Sequence, residues 1–265
     1  MKKIVITGAL GYIGTELCKL YSGFSWKYEV VAIDNRFISE RVNELKRRKI
    51  KFIQADILDI DSIKPYIEKA EVIHHLAGIT DVAYVKKESD KAKDDLTAKV
   101  AIEGTANVLK SMNEDATIVF PSTHVVFEGL KEQKENLDEN EKTNTFLAYS
   151  TSKVENENQI IKSGKNYAIF RLGSVYGFST DTMRMNIMPN LFSKIASQNG
   201  KIKLFGGGVQ LKSLVPLIDV ARCFKFVEEK EDFKNGIYNL SKENCTVKDV
   251  ADICKKVNPK LKIIT

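Results

Sequence analysis

The sequence predicts an α/β fold in which a doubly wound parallel sheet is followed by a smaller C-terminal lobe. Short apolar strand patterns alternate with helical patterns over the first part of the chain, which is typical of parallel strands joined by helices. A glycine-rich turn follows the first strand pattern and opens a helix. After Gly173 the pattern becomes irregular, with prolines and the glycine cluster Gly206–Gly208, as expected of loops and short elements.

Six strands are predicted before that change of pattern. They are Lys3–Thr7, Glu29–Ile33, Lys51–Gln54, Val72–Leu76, Thr117–Pro121 and Tyr167–Leu172. Helices are predicted over about Ile13–Tyr21, Leu96–Met112 and Phe146–Lys162, and in the second of these the apolar residues recur at helical spacing. The polar stretch Glu128–Thr145 lacks such periodicity and predicts a surface loop.

Length and composition indicate a folded protein with one large domain and an appended lobe. The chain has 265 residues, of which 43% are hydrophobic and 29% charged. We predict a first domain over residues 1–172 and a lobe over residues 173–265, with about 215–240 returning to the first domain. The apolar run before Gly8 is too short for a signal peptide or a membrane span, so a cytoplasmic protein without a membrane partner is expected.

Cysteine spacing and net charge indicate which bridges, metal sites and binding partners to expect. The four cysteines, Cys18, Cys223, Cys245 and Cys254, form no CxxC pair and have no histidine at ligand spacing, so neither disulfides nor a metal site is predicted. The net charge of +6 includes the basic run Lys46–Lys49, which could contact nucleic acid or simply form a solvated helix face. Because no nucleic-acid-binding motif accompanies the run, no nucleic-acid partner is predicted; a basic surface would also attract a phosphorylated substrate.

The turn after the first strand has the spacing GxxGxxG. Gly8 would permit a tight turn, Gly11 would let a pyrophosphate approach the backbone, and Gly14 would let the helix pack against the strand. The first helical amides, at Tyr12, Ile13 and Gly14, would face the anion together with the positive end of the helix dipole. This context predicts a dinucleotide site on a Rossmann-type sheet.

An acidic residue follows at the distance such a site requires. Asp34 comes twenty residues after Gly14, at the end of the second strand, where a carboxylate accepts hydrogen bonds from ribose hydroxyls and repels a 2′-phosphate. NAD is therefore favoured over NADP as the cofactor. Arg36 could weaken that preference by pairing with a phosphate.

Two further segments are candidates for contact with the cofactor. Asp56 could meet the exocyclic amine of an adenine and Ile57 could pack on its ring, although Asp56 could equally be an ordinary loop residue. The segment from His75 to Gly78 ends the fourth strand with small residues that would let the backbone lie against a cofactor. His74 and His75 themselves are typical of buried core histidines.

The candidate catalytic residues are Thr123, Tyr149 and Lys153. Tyr149 and Lys153 form a YxxxK pair that lies on one face of a predicted helix. A nearby ammonium favours the phenolate form of a tyrosine, which can then act as a base, and a hydroxyl of Thr123 after the fifth strand could hold the substrate oxygen. His124 could line the substrate pocket or serve a structural role.

Together these motifs resemble the extended short-chain dehydrogenase/reductase family, in its NAD-dependent epimerase/dehydratase branch acting on nucleotide sugars. The resemblance runs almost end to end and includes TGALGYIG, IDN, HHLAG, EGTANVL, STHVVFEG, YSTSK, RLGSVYG, NIMPNLFSKI, LFGGGVQLKSLVPLIDVA and IYNLSKENCTVKDVA. It implies that Thr123, Tyr149 and Lys153 form the catalytic triad and that the first domain binds NAD. It also implies a nucleotide-sugar substrate, a substrate lobe and a homodimer built from the Leu96–Met112 and Phe146–Lys162 helices.

The resemblance further implies a set of binding residues. Those implied to contact or border NAD are Gly8, Gly11, Gly14, Asp34, Asn35, Asp56, Ile57, Leu76, Ala77 and Gly78. Those at positions where the family handles the nucleotide diphosphate are Ser174, Asn190, Gln210 and Lys212, while Asp219 belongs to the VDDVA-like segment.

Several residues depart from the family pattern. Ser174 and Ala101 stand where many members have Asn, and Lys212 where many have Arg. His124 and Val125 replace the Asp-Glu pair of nucleotide-sugar 4,6-dehydratases, which argues against dehydration. The segment STHVVFEG also resembles deoxysugar 4-ketoreductases, so three hypotheses stay open. The leading hypothesis is an epimerase with tightly held NAD that acts through a transient keto sugar. The alternatives are a reductase or dehydrogenase with exchangeable cofactor and a non-catalytic NAD-binding protein.

Overall fold

The computed structural model describes residues 1–80, 90–132, 134, 136–230 and 233–265. The chain divides into two compact units. The first unit comprises Met1–Arg171 and Ala221–Asn239, and the second comprises Leu172–Val220 and Leu240–Thr265. The chain therefore passes into the second unit after the sixth strand and returns to the first within one helix.

The first unit is built on a seven-stranded sheet with flanking helices. Its strands are β1 (Lys2–Thr7), β2 (Tyr28–Asp34), β3 (Lys51–Gln54), β4 (Val72–His75), β5 (Thr117–Thr123), β6 (Asn166–Leu172) and β10 (Gly236–Leu240). Its helices are α1 (Tyr12–Ser22), α2 (Ser39–Arg47), α3 (Ile60–Ile67), α4 (Lys91–Ser111), α5 (Ala148–Lys162) and the last part of α7 (Leu217–Glu229).

The strand order is β10-β6-β5-β4-β1-β2-β3. Strand β1 pairs in parallel with β2 on one side and with β4 on the other. The chain thus reverses its direction of travel across the sheet between β1 and β4. Ligands of open parallel sheets bind at such a switch point, outside the carboxyl ends of the strands, which here are Thr7 and His75. The predicted doubly wound α/β fold is confirmed.

The core of the first unit fills the space between the sheet and the helices on one of its faces. Fully buried side chains such as Ile73 on β4, Ile118 on β5 and Val108 on α4 belong to one cluster. Such burial stabilises the fold by roughly 25 cal/mol per Å² of apolar surface removed from water. The carboxyl ends of the strands are thereby held on a rigid support.

The second unit is smaller and consists of short elements. They are β7 (Ser174–Tyr176), α6 (Met188–Ser197), β8 (Lys201–Lys203), β9 (Leu211–Pro216), β11 (Glu243–Thr246), α8 (Val247–Val257) and β12 (Lys262–Ile264). Strand β9 is central to a three-stranded sheet and pairs with β11 in antiparallel and β7 in parallel orientation. Helix α8 begins with a capping box, in which the side chains of Thr246 and Asp249 each accept a hydrogen bond from the other residue's backbone amide.

Within the described parts of the chain, we find no helix that combines the length and the apolarity required to cross a bilayer.

Candidate active site

The glycine turn joins β1 to α1 and packs tightly against the backbone around it. Gly8 has a φ of +67°, and a Cβ there would lie 2.7 Å from the amide nitrogen of Ala77. A Cβ on Gly14 would lie 2.4 Å from the carbonyl oxygen of Gly8, so α1 can approach the turn only with glycine at this position. At Gly11 a Cβ would meet only this same oxygen, at 3.1 Å. Gly8 and Gly14 therefore serve the fold, and Gly11 leaves space beside the turn.

The start of α1 suits an anionic ligand. The helix begins at Tyr12, its N-cap residue Gly11 provides no capping side chain, and none of the residues of its first turn is acidic. Backbone amides at Tyr12, Ile13 and Gly14 and the positive end of the helix dipole are thus not neutralised by an acidic side chain there. This is the arrangement that binds a phosphate or pyrophosphate.

Asp34 ends β2 and is 5% exposed. Its Oδ2 accepts a hydrogen bond from the amide of Leu10 at 3.0 Å, which ties the glycine turn to β2. Its Oδ1 accepts from the backbone amide and the Nε of Arg36, both at 3.1 Å. The guanidinium of Arg36 is therefore engaged with Asp34, and the carboxylate stands where the ribose of a dinucleotide is expected.

An open cavity next to Asp34 corresponds to the predicted adenine site. It is lined by Asn35, Gln54, Ala55, Asp56, Asp59 and Ser62. The Nδ2 of Asn35 donates to Oδ2 of Asp56 at 3.1 Å, so these two predicted contacts are adjacent. The side chain of Ile57 instead lies in the core, close enough to α4 that a Cβ on Gly104 would collide with it. The structure therefore does not place that side chain where it could pack on an adenine ring.

The features of this edge of the sheet fit NAD. Gly11 leaves space beside the turn, the first turn of α1 has no acidic residue, and a buried carboxylate stands at the end of β2. These features occur in the order that a dinucleotide requires.

Tyr149 and Lys153 both lie on α5, one turn apart. The Nζ of Lys153 is 5.8 Å from the ring centroid of Tyr149 and 4.4 Å from that of Phe120. This ammonium donates to the carbonyl oxygen of Pro121 at 2.8 Å. Loss of contact with water lowers the pKa of Lys153 to about 8, against the opposing effect of the Glu157 carboxylate. The carbonyl of Pro121 thus fixes the ammonium next to the Phe120 ring, where burial disfavours its charged form.

Thr123 is the last residue of β5 and is buried. Its Oγ1 accepts from the amide of Val125 at 3.2 Å, which caps a short 3₁₀ helix over His124–Phe127. His124 begins that helix and is half-buried. The structure therefore places Thr123 and His124 at the same carboxyl edge of the sheet as the other predicted residues, with the hydroxyl of Thr123 oriented by the backbone.

A cavity in the first unit joins the cofactor and catalytic segments. The residues that line it are Ala77, Gly78, Ile79, Thr97, Ala101, Tyr149, Ser152, Lys153 and Asn156. The backbone after β4 thus forms one wall and the Tyr149 face of α5 forms another. Leu76 is hydrogen-bonded to the carbonyl of Thr7 at 3.1 Å and borders the glycine turn.

Two cavity residues that the sequence analysis missed could have been found by helical spacing. Ser152 and Asn156 lie three and seven residues after Tyr149, on the same face of α5. Thr97 and Ala101 on α4 complete this side of the cavity, and Ala101 is where the family resemblance implies an asparagine. Asn156 donates to the carbonyl of Ala101 at 2.9 Å, so an amide is present at this point although it comes from the other helix.

In the second unit, three of the four predicted substrate contacts lie on or next to β9. Ser174 begins β7, Lys212 is exposed on β9, and Gln210 precedes β9. The Nε2 of Gln210 donates to the carbonyl of Phe205 at 3.0 Å. Ser174 pairs with Leu214 across the sheet.

The fourth predicted contact, Asn190 on α6, is 2% exposed. Its Oδ1 accepts from the amide of Gly177 and its Nδ2 donates to the carbonyl of Arg184, both at 3.0 Å. Both ends of this amide therefore hold the backbone that precedes α6.

Comparison with known proteins identifies the family of the chain. The family model of the NAD dependent epimerase/dehydratase family matches residues 4–241. The chain belongs to this family. A putative UDP-glucose 4-epimerase of Methanocaldococcus jannaschii is 28% identical over 261 residues, which cover 95% of this chain and 81% of that protein. A dTDP-4-dehydrorhamnose reductase of Aggregatibacter actinomycetemcomitans is 25% identical over 257 residues, 92% of this chain and 75% of its own length.

A solved structure shows the same fold. The UDP-glucuronic acid 4-epimerase of Bacillus cereus, in complex with UDP-glucuronic acid and NAD, superposes with a TM-score of 0.82 at 24% identity, over 99% of this chain and 86% of that one. Membership of the epimerase/dehydratase family confirms the predicted resemblance, the prediction of an enzyme and NAD as the family's cofactor. The individual site residues stay predictions that the geometry above supports.

In this epimerase/dehydratase family member a buried hydrogen-bond chain crosses beneath the cavity. His75 Nδ1 is 2.9 Å from Thr7 Oγ1 and its Nε2 is 3.0 Å from Thr105 Oγ1. Asn156 Nδ2 donates to Thr105 Oγ1 at 3.0 Å, and the amide of Ala77 donates to Thr7 Oγ1 at 3.2 Å. Burial lowers the pKa of His75 to about 3, so the neutral ring donates through one nitrogen and accepts at the other. The chain connects α5 to Ala77.

We expect Thr105→Val to destabilise the protein by about 1–3 kcal/mol, because it leaves a buried nitrogen of His75 without a partner and removes one acceptor from Asn156. Urea unfolding followed by circular dichroism measures the change. Thr105→Ser keeps the hydroxyl and is the matched control, expected to lose less than half as much. A Thr105→Val variant as stable as the wild type would show that the chain of bonds adds nothing to the fold.

Proposed function

We propose that the protein is a nucleotide-sugar epimerase that acts through a transient keto sugar. The observation that carries the proposal is the cavity itself, in which Tyr149 and Lys153 share a surface with Ala77 and Gly78. The backbone at Ala77 also contacts the glycine turn at Gly8. A base and a cofactor-binding backbone thus meet in one unit of the protein, as oxidation of a sugar hydroxyl requires.

The residues of this chain divide the proton chemistry among them. Tyr149 takes the proton of a sugar hydroxyl and later returns it to the same oxygen. The Lys153 ammonium, fixed on the carbonyl of Pro121, stabilises the phenolate of Tyr149 while the proton is away. Thr123 holds the reacting oxygen by a hydrogen bond. Bound NAD would supply a hydride acceptor and donor for the carbon that carries this oxygen, so return of the hydride to the opposite face inverts the carbon.

The cofactor would be held by the edge of the sheet already described. The glycine turn and the start of α1 would bind the pyrophosphate, and Asp34 would bind a ribose. Asn35 and Asp56 would bind at the adenine cavity. In the second unit, Lys212 and its neighbours around β9 are proposed to contact the nucleotide diphosphate, with Lys212 acting as a point charge in place of an arginine fork.

Epimerisation is favoured over the other reactions of the family for two reasons. His124 and Val125 replace the acid-base pair implied for dehydratases. The M. jannaschii relative is described as a putative UDP-glucose 4-epimerase and is the more similar of the two relatives above. We also propose a cytoplasmic homodimer, which the exposed apolar residues Leu96 and Ile102 on α4 and Ile161 on α5 would help to form.

A reductase is the second candidate. The dTDP-4-dehydrorhamnose reductase relative favours it, as does the resemblance of STHVVFEG to ketoreductases. A reductase would use the same residues for a single hydride transfer and would exchange its cofactor after each turnover.

The test separates the two candidates by cofactor use. The nucleotide that copurifies with the protein is released and identified, and the protein is then incubated with UDP-, GDP- and dTDP-sugars without added cofactor. We expect retained NAD and conversion of one sugar to its isomer, with a Tyr149→Phe sample as the blank. Consumption of added NAD(H) or NADP(H) in proportion to product would replace the epimerase with the reductase, and no turnover under either condition would contradict both.

A further inference from the structure

Glu157 is a buried acidic residue to which the proposed reaction gives no role. It lies on α5, one turn after Lys153, and is 3% exposed. Its Oε2 accepts from Nη2 of Arg171 at 2.8 Å, and its Oε1 accepts from Nε of Arg171 at 3.1 Å and from the hydroxyl of Ser122 at 2.5 Å. A desolvated carboxylate with three hydrogen bonds is held in one position.

These bonds fix the end of the strand that carries Thr123. Lys153 donates to the carbonyl of Pro121, and the next residue, Ser122, donates to Glu157. Two successive residues of β5 are therefore attached to two successive turns of α5, immediately before Thr123. The positions of the Thr123 hydroxyl and of the Lys153 ammonium are thereby coupled.

Arg171 extends the attachment to β6 and to the loop after the 3₁₀ helix. Its Nη1 donates to the carbonyl of Glu139 at 3.1 Å. Its guanidinium carbon lies 5.4 Å from the ring centroid of Phe127, which ends the helix that Thr123 caps. The Glu157–Arg171 pair thus contacts the residue before Thr123, through Ser122, and the short helix after it, through Phe127.

The charges around Lys153 come from three elements. Glu157 on α5 favours its ammonium form and opposes the loss of water contact that lowers its pKa. His75 on β4 is neutral because burial lowers its pKa to about 3. Arg171 on β6 is paired to Glu157, and Tyr149 lies on the same helix face as Lys153. Among these described neighbours, Glu157 is the negative charge.

We propose that Glu157 is a positioning residue of the active site, whose hydrogen bonds to Ser122 and Arg171 attach the Ser122–Thr123 end of β5 to α5 and hold its carboxylate one helical turn from Lys153. Its effect on turnover rests on the proposed function, whereas its effect on the charge of Lys153 does not. A merely structural ion pair would affect stability when one partner is removed, but would change neither the charge of Lys153 nor turnover per folded molecule.

The first experiment measures the ionisation of Lys153 without substrate. The protein is labelled with acetic anhydride over a range of pH, and mass spectrometry quantifies acetylation of Lys153. We expect the midpoint near the pKa of about 8 in the wild type and about one unit lower in Glu157→Gln, a tenfold change in the equilibrium constant. Glu155→Gln, an exposed position on the same helix, is the matched control and should not move the midpoint.

Two further variants separate the effect of the Glu157 charge from that of its bond to Ser122. One of them tests the inference even if Glu157→Gln fails to fold. Ser122→Ala keeps the carboxylate of Glu157 but removes its bond to β5. We therefore expect it to lower kcat about tenfold without shifting the acetylation midpoint of Lys153. The double variant Glu157→Met/Arg171→Met leaves no unpaired charge, and we expect it to fold and to lower the midpoint in the same direction as Glu157→Gln but by less, because the positive charge of Arg171 is removed as well.

Two results would overturn the inference. One is an unchanged Lys153 midpoint in both Glu157→Gln and the double variant. The other is a loss of turnover in these variants that only follows their folded fraction. If the wild type converts no nucleotide sugar, the proposed function fails, but the labelling midpoint still decides whether Glu157 controls the charge of Lys153.

Discussion

Tyr149→Phe is expected to lower the turnover of the nucleotide sugar by about 10²–10⁴-fold, with little change in stability or in retained NAD. The substitution removes the oxygen that receives the proton and keeps the ring that lines the cavity. Lys153 keeps its bond to the carbonyl of Pro121, so the geometry of α5 is preserved. The measurement is the initial rate of isomer formation at saturating sugar, together with the NAD content of the purified variant.

Tyr66→Phe on α3 is the matched control, because it removes a phenol hydroxyl from a ring that packs against the core. We expect it to turn over at the wild-type rate. If Tyr149→Phe also retained full turnover with NAD bound, Tyr149 would not be the base, and a non-catalytic NAD-binding protein or a different base would replace the proposal.

The strands of the sheet could be predicted closely because burial on both faces leaves continuous apolar runs. Lys51–Gln54, a partly exposed strand at the edge of the sheet, is also found as predicted. Strand β5, however, continues two residues beyond the predicted Pro121. Ser122 can stay in the buried strand because Glu157 accepts its hydroxyl hydrogen bond, and a partner 35 residues away in the sequence leaves no local pattern.

Helix α4 shows the same limit at its start. The helix was predicted from Leu96, where apolar periodicity begins, but it begins at Lys91. Asp90 caps it by accepting from the amide of Lys93 at 3.0 Å. The first turn is polar and exposed, so it carries a capping signal and no apolar period.

The site was predictable where its parts lie at fixed spacings along one element, and not where they lie on different elements. The glycine turn and the Tyr149–Lys153 pair belong to the first class. The contacts of Asn156 with α4 and of Glu157 with Arg171 belong to the second, since they depend on how α5 packs. The core position of the Ile57 side chain, next to Gly104 of α4, likewise depends on packing between elements.

The second large effect is expected from Gly14→Ala, which should destabilise the protein by about 3 kcal/mol and abolish retention of NAD. A Cβ at this position would lie 2.4 Å from the carbonyl oxygen of Gly8 and 2.8 Å from the Cα of Ala9. Both atoms belong to the backbone, so no side-chain rotation relieves the contact and α1 must move away from the turn. Urea unfolding and the NAD content of the purified protein measure the two effects.

Two other glycines separate the fold from the cofactor site. A Cβ on Gly23 at the end of α1 would meet only the carbonyl of Leu20, at 3.4 Å, with φ at −67°, so Gly23→Ala should be neutral or stabilising by about 0.4–1 kcal/mol. Gly11→Ala meets an oxygen at 3.1 Å and should change stability by less than about 1 kcal/mol, yet its methyl group would occupy the space proposed for the pyrophosphate. Loss of NAD from Gly11→Ala with stability retained would place the cofactor at this turn. Full retention of NAD would show that the pyrophosphate does not approach Gly11, even if Gly14→Ala unfolds as expected.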